Sequence, residues 1–232
     1  MIVLASETST LLGSVALYEN NLLLASKESP RQGSHSDKIN VFIEEVLQKS
    51  NKKLSDVDLF AAGIGPGSFT GIRISINAIK TLAYCYEKPV VGINSLINLA
   101  WQCLTEDDKP IVAMINAYKN MLYIATYRKI ENQIKVLREP EVIRVQNITA
   151  YLTEKSYVVG DGFPTYEKYF SDEIKALMLR SSAASDDPTA SSLGSLALLG
   201  VAGRSHWSEL QPVYLRASEA EENKLGIKFQ AL

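Results

Sequence analysis

Residues 2–7 form a short run that is apolar except for Ser6 and Glu7, and the run stops at the polar turn Thr8, Ser9, Thr10. It reads as a buried strand followed by a turn. Over 13–18, Val15 and Leu17 alternate with Ser14 and Ala16 in a second strand, and Asn20 and Asn21, which tolerate positive φ, supply a hairpin turn into a third over 22–27. Beyond a loop at 29–36 the period changes. Ile39, Phe42, Ile43, Val46 and Leu47 fall on one helical face, which predicts a helix over 37–49 with Ser36 as its cap. Residues 57–64 read as a buried strand, the glycine-rich stretch 65–71 as a turn, 72–86 as a second helix and 89–93 as a returning strand.

The second half repeats this order. Strands are expected at 111–116, 122–127 and 134–138, a helix near 148–154, a strand at 157–159, and helices near 166–170 and 193–201. Two β-β-β-α-β-α units are implied, without any residue-level repeat. The charged stretch 101–110 reads as the joint, which sets an N-terminal lobe at 1–103 and a C-terminal lobe at 104–232. The last ~20 residues are a candidate for packing back on the first lobe. The run 181–192, rich in Ser, Ala and Asp, reads as a mobile loop.

Composition narrows the classes. Of 232 residues 46% are hydrophobic and 22% charged, ordinary for a globular chain, and 24 Lys plus Arg against 26 Asp plus Glu leave a net charge of −2. That balance disfavours a direct, tight nucleic-acid binder, since neutralising phosphates requires excess positive charge. Cys85 and Cys103 are too few for a disulfide framework and lack metal spacing, which suits a reducing cytoplasm. The N-terminus has no basic segment ahead of an apolar one, so no secretory signal is expected. The most apolar stretch, 193–202, falls short of the ~20 residues that span a bilayer.

The densest motif is Gly63-Ile64-Gly65-Pro66-Gly67-Ser68-Phe69-Thr70-Gly71, between a strand and a helix. It fails as a dinucleotide fingerprint because Ser68 stands where glycine is needed, and as a P-loop because no Gly-Lys-Ser/Thr follows. A tight turn, a phosphate contact at the helix N-terminus and a partner-facing role remain open. Thr8 and Ser9 offer hydroxyl and N–H groups to a phosphate, and equally make an ordinary solvated turn. Glu7 has no acidic neighbour in sequence. The two histidines, His35 and His206, are far apart, so an HxxxH or HExxH metal helix is impossible; both read as surface or packing residues. No GxSxG elbow supports a Ser-His-Asp triad.

These motifs carry a family resemblance. Leu4 to Thr10 (LASETST), GPGSFTGIR at 65–73, KPVVGI at 88–93 followed by Ser95-Leu96, Gly160-Asp161-Gly162, and Pro212-Val213-Tyr214-Leu215-Arg216 are similar, in order and spacing, to the TsaB family, the B subunit of the bacterial tRNA threonylcarbamoyladenosine machinery. The resemblance spans residues 4 to about 216. It implies an α/β fold of the actin-like ATPase class, shared with sugar kinases and heat-shock ATPases. It also implies a non-catalytic partner that binds and activates a catalytic TsaD-like paralogue, with a TsaE-like ATPase, for modification of the tRNA adenosine 3′ of the anticodon. ATP and metal are then expected on the partner subunits, tRNA contact only through the complex, and no membrane association.

The TsaD-like relative has an HxxxH metal motif after the strand matching 89–93; here those positions are Ser95 and Leu99, and one register earlier they are Asn94 and Asn98. Glu7 stands where Asp is usual, and Asn116-Ala117-Tyr118 replaces Asp-Ala-Arg. The expected partner interface runs through the helices at 37–49 and 72–86 and comprises Gly65, Pro66, Gly67, Ser68, Phe69, Thr70 and Gly71 of the glycine-rich turn with Arg73, Ser75 and Ala78 of the second helix, Ser75 and Ala78 being small enough for close approach. Alone, the chain is a candidate homodimer through the same face. The competing readings are a stand-alone phosphotransferase or carbamoyl transferase, which needs paired carboxylates or a metal site, and a metallopeptidase, which needs the missing histidines.

Overall fold

Ile2–Glu7 (β1) is buried along its whole length because it runs mid-sheet with a strand on either side. Ser14–Glu19 (β2) pairs with it antiparallel and Leu22–Glu28 (β3) continues the meander. Leu59–Gly63 (β4) and Val90–Ile93 (β5) add in parallel, so the order is β3-β2-β1-β4-β5. The computed structural model describes residues 1–29, 38–103, 107–131, 133–181, 185–217 and 224. Ile39–Lys49 (α1) precedes β4, and Phe69–Tyr86 (α2) is the crossover between β4 and β5. Both helices bury their apolar stripe against Ile2, Leu4, Leu17 and Phe60. Ser95–Gln102 (α3) follows β5.

The second sheet repeats the plan. Ile111–Asn116 (β6), Met121–Ile130 (β7) and Gln133–Arg144 (β8) form an antiparallel meander. Ser156–Val159 (β9) joins β6 in parallel. Past Gly162–Tyr166 (α4) and Asp172–Lys175 (α5), Met178–Leu179 (β10) joins β9, giving β10-β9-β6-β7-β8. Its core is built on Val112, Met114, Leu122, Ile124 and Val158.

The two compact units do not divide where the charged joint suggested. Unit one is Met1–Asn98 with Asp187–Val213; unit two is Leu99–Asp186 with the described residues after Val213. The reason is Ala190–Leu199 (α6), apolar on nearly all sides, which packs on β1, β2 and β4. Thr189 caps it, accepting from Ser192 N at 3.2 Å, so it starts three residues before the expected Leu193. The Ala190 N–H donates to Ser14 Oγ at 2.8 Å and Tyr18 Oη donates to Ser191 O at 2.8 Å, anchoring it to β2.

Other boundaries moved for local reasons. The Ser68 side chain accepts from Gly71 N at 3.2 Å and starts α2 at Phe69 rather than Ile72. The helix expected near 148–154 is a 3-10 helix, Val145–Ala150, in which Val145 and Ile148, three apart, are the buried pair. The one expected at 166–170 is α4 running into a 3-10 turn, Glu167–Tyr169. The proposed cap Ser36, His35, Asp37, Thr105 and Glu106 lie outside the described residues, as do most of the last 20. Among the described residues no helix is long and apolar enough to cross a membrane. Both cysteines are free thiols, and burial pushes Cys103 up to about 11.

Gly194 of α6 lies against the Tyr18 ring, where a Cβ would come within 2.8 Å of Cδ2. Gly194→Val is expected to lower stability by roughly 2–3 kcal/mol in urea unfolding, the usual cost of forcing atoms into a filled contact. An unchanged midpoint would mean that α6 does not seat tightly on the sheet.

Candidate functional site

The turn after β1 and the loop after β4 are locked together. Thr8 Oγ1 donates to Gly71 O at 2.6 Å and accepts from Ser75 N at 3.2 Å, and Ser68 N donates to Ser9 O at 2.7 Å. Ser75 Oγ donates to Ser6 O at 2.7 Å. A Cβ on Gly67 would run into Ser9 O and one on Gly71 into Thr8 O, so the glycines of the motif serve a close backbone approach. Gly67 also has φ +158°, in effect extended, whereas Gly65 at +96° needs glycine for its conformation. Thr8 and Ser9 are buried, with the Thr8 hydroxyl and the Ser9 carbonyl engaged in this contact.

Glu7 sits behind that turn, fully buried. Ser9 N donates to its Oε1 at 2.9 Å, and Asn98 Nδ2 and Ser95 Oγ donate to Oε2 at 3.1 and 3.4 Å. The side chain fills the space beside Gly63, where any Cβ would overlap the carboxylate. Burial pushes the Glu7 carboxyl above its ordinary value, and the bonds from Ser9 and Asn98 pull against that rise. Ser95, one of the positions matched to a metal ligand, thus belongs to a carboxylate's hydrogen-bond shell, and Leu99, the other, is a buried apolar residue. Among the described residues no three His, Cys, Asp or Glu side chains gather as metal ligands.

The expected interface residues separate by burial. Gly65, Pro66, Gly71 and Ser75 face inward, and the Ser75 hydroxyl is spent on β1. Ser68, Thr70 and Arg73 are exposed, Arg73 lying over the Phe69 ring at 4.2 Å; Gly67, Phe69 and Ala78 are half-buried. Ala78 lines an open groove of about 320 Å³ between α1 and α2 with Ile39, Ile74 and Leu82 at its base and Asn77 and Thr81 on its rim. Asn40 completes the lining from α1, on which the neighbouring Val41 is 48% exposed. Sequence spacing found both helices but not this groove, which depends on how they lean together.

In the second unit Asn116 works as a turn cap. Its Oδ1 accepts from Tyr118 N at 2.8 Å and from Tyr166 Oη at 3.0 Å, while its own N–H donates to Asp161 Oδ1 at 2.8 Å. Tyr118, Lys119 and Asn120 all take left-handed backbone, and Arg216 donates to Ala117 O and Tyr118 O. His206, read as a surface or packing residue, is exposed and leans on Trp207.

The duplicated βββαβαβ unit with helices against each sheet is the architecture of actin-like ATPases. A family model described as "TsaD: tRNA N6-adenosine threonylcarbamoyltransferase" matches residues 30–224. The tRNA threonylcarbamoyladenosine biosynthesis protein TsaB of Escherichia coli is 32% identical over 159 residues, 64% of this chain and 68% of that one. Its Bacillus subtilis namesake is 25% identical over 224 residues, 95% of this chain and 96% of that one. A Pseudomonas aeruginosa crystal structure, described as an uncharacterized protein with similarity to peptidase YEAZ, superposes with TM-score 0.81 at 26% identity, covering 93% of this chain and 99% of that one. The chain belongs to the TsaB family.

The Glu7 environment sets a pH dependence. Unfolded, the carboxyl titrates near its usual ~4.3; folded, it titrates higher, so its contribution to stability is fully present below the unfolded value and is lost as pH rises through the folded one. Glu7→Gln is expected to flatten the curve of unfolding free energy against pH above about pH 4.5. An unchanged slope in urea titrations across that range would show that Glu7 does not titrate as its burial requires.

Proposed function

We propose that this chain is a non-catalytic subunit that binds and activates a TsaD-type paralogue for threonylcarbamoyl transfer to the tRNA adenosine 3′ of the anticodon. A TsaE-type ATPase completes the set in the cytoplasm. The observation that carries the reading is the α1/α2 groove, where Ile74, Ala78 and Leu82 stay half-buried and Val41 largely bare. An amphipathic helix pair of another subunit would cover them, with the small Ala78 allowing close approach. The inward commitment of Thr8 and Ser9 supports assigning ATP and metal to the partners. A second copy of the chain can use the same patch when no paralogue is present, because a two-fold pairing is self-complementary.

Ala78→Arg places a long cation in the groove. Co-elution with a TsaD-type subunit is expected to weaken at least ~100-fold, equivalent to about 3 kcal/mol, with little change in thermal unfolding of the isolated chain. Full activation by a normally folded variant would remove this face from the interface. The isolated chain is expected to form no threonylcarbamoyladenosine from tRNA and threonylcarbamoyl-adenylate, and turnover by preparations free of partner would refute the non-catalytic role.

A further inference from the structure

The C-terminal end of α2 and residues 204–209 enclose an open cleft of about 830 Å³ that shares no lining residue with the α1/α2 groove. That is within the range of ligand-sized sites. Trp207 is half-buried against the core of the first sheet, and Tyr84, 63% exposed, meets it edge-on with centroids 5.1 Å apart and planes at 74°. His206 leans on the same indole at 4.9 Å. The cluster therefore leaves aromatic surface in water beside a rigid ring, ready for a further flat ring.

Charge around the rings is mixed. Glu87 ends α2 in left-handed backbone at φ 52°, and Lys88 follows it along the cleft wall. Lys88 and Arg204 line the cleft and neither makes an ion pair among the described residues; Glu87 and Glu209 line it too. A simple anion or cation gains little from walls whose formal charges cancel. A ligand that offers an aromatic face, one negative charge and N–H donors satisfies all three sets of groups at once.

We propose that this cleft takes one unpaired nucleotide of RNA carrying an amino-bearing base. The ring stacks on Tyr84 and Trp207, the phosphate turns to Lys88 and Arg204, and the exocyclic amine donates to Glu87 or Glu209. The inference rests on the reading of the chain as part of a tRNA-modifying assembly, and it names where this subunit itself touches the RNA. With a net charge of −2 and carboxylates at the rim, the contact is weak in isolation and gains strength within an assembly.

The chain holds two tryptophans, so Trp101→Phe leaves Trp207 as the reporter. In that full-length background, AMP and pentaadenylate are expected to quench the indole, pentaadenylate more tightly, with UMP and pentauridylate several-fold weaker because uracil lacks the amine. Tyr84→Ala is expected to weaken pentaadenylate roughly five- to a hundredfold while leaving thermal unfolding and co-elution with a TsaD-type subunit unchanged. AMP bound as tightly as pentaadenylate would overturn the RNA assignment in favour of a free nucleotide. Quenching by an oligoproline peptide but not by pentaadenylate would reassign the cleft to protein. No quenching with partner co-elution intact strikes this proposal alone, whereas loss of co-elution by the unmutated chain strikes the functional reading.

Discussion

A single hydroxyl ties the first hairpin to the second helix. Thr8 Oγ1 both donates to Gly71 O and accepts from Ser75 N, so it satisfies two backbone groups in the first turns of α2 with water excluded. Removing it would cost the first turns of α2 their tie to the hairpin, at about 0.5–1.5 kcal/mol for each hydrogen bond lost. With α2 fixed at this end and its apolar stripe fixed along the sheet, the helix has no freedom to roll. The side chains left on its outer face, Arg73, Asn77 and Thr81, are therefore determined by a contact on its inner face.

That contact also explains why a motif rich in glycine and hydroxyls here favours packing over chemistry. In a turn that binds phosphate, backbone N–H groups and hydroxyls point outward to the ligand. In this chain Ser9 N is taken by Glu7, Ser9 O by Ser68, and the Thr8 hydroxyl by α2. Glu7 itself receives donors from three residues and has filled the room that Gly63 leaves open. The backbone of the turn, the Thr8 hydroxyl and the Glu7 carboxylate are engaged from within, whereas the buried hydroxyls of Ser6 and Thr10 have no partner among the described residues.

The elements that sequence reading recovered are those whose signal is local and periodic. The stripe from Ile39 to Leu47 and the alternation of Val15 and Leu17 could hardly be read otherwise, and both stand in the structure. α3 has no counterpart among the expected elements although Leu96, Leu99 and Ala100 repeat at helical spacing; it is only eight residues long, and its last two fall in the charged joint expected at 101–110. Val145–Ala150 fooled the eye in the opposite way, its two buried residues fitting either kind of helix. The roles of Thr8 and Ser9 and the aromatic contact between Tyr84 and Trp207 depend on partners 59 or more residues away, and no local pattern announces them. For Glu7 a hint was present. Ser6 pairs with Ala62, which brings Glu7 beside Gly63, a strand residue with no side chain to compete for the space.

The placement of α6 bears on how the chain is made. The sheet from β1 to β5 is complete by Ile93, yet the helix that covers β1, β2 and β4 is encoded at Ala190–Leu199. A ribosome adding about 5–20 residues per second would keep that face waiting for seconds while the whole second unit emerges. Throughout that interval the nascent first unit displays a strip of apolar sheet, and the second unit, contiguous in sequence, can finish before it. The N-terminal half of this protein is thus the later one to mature.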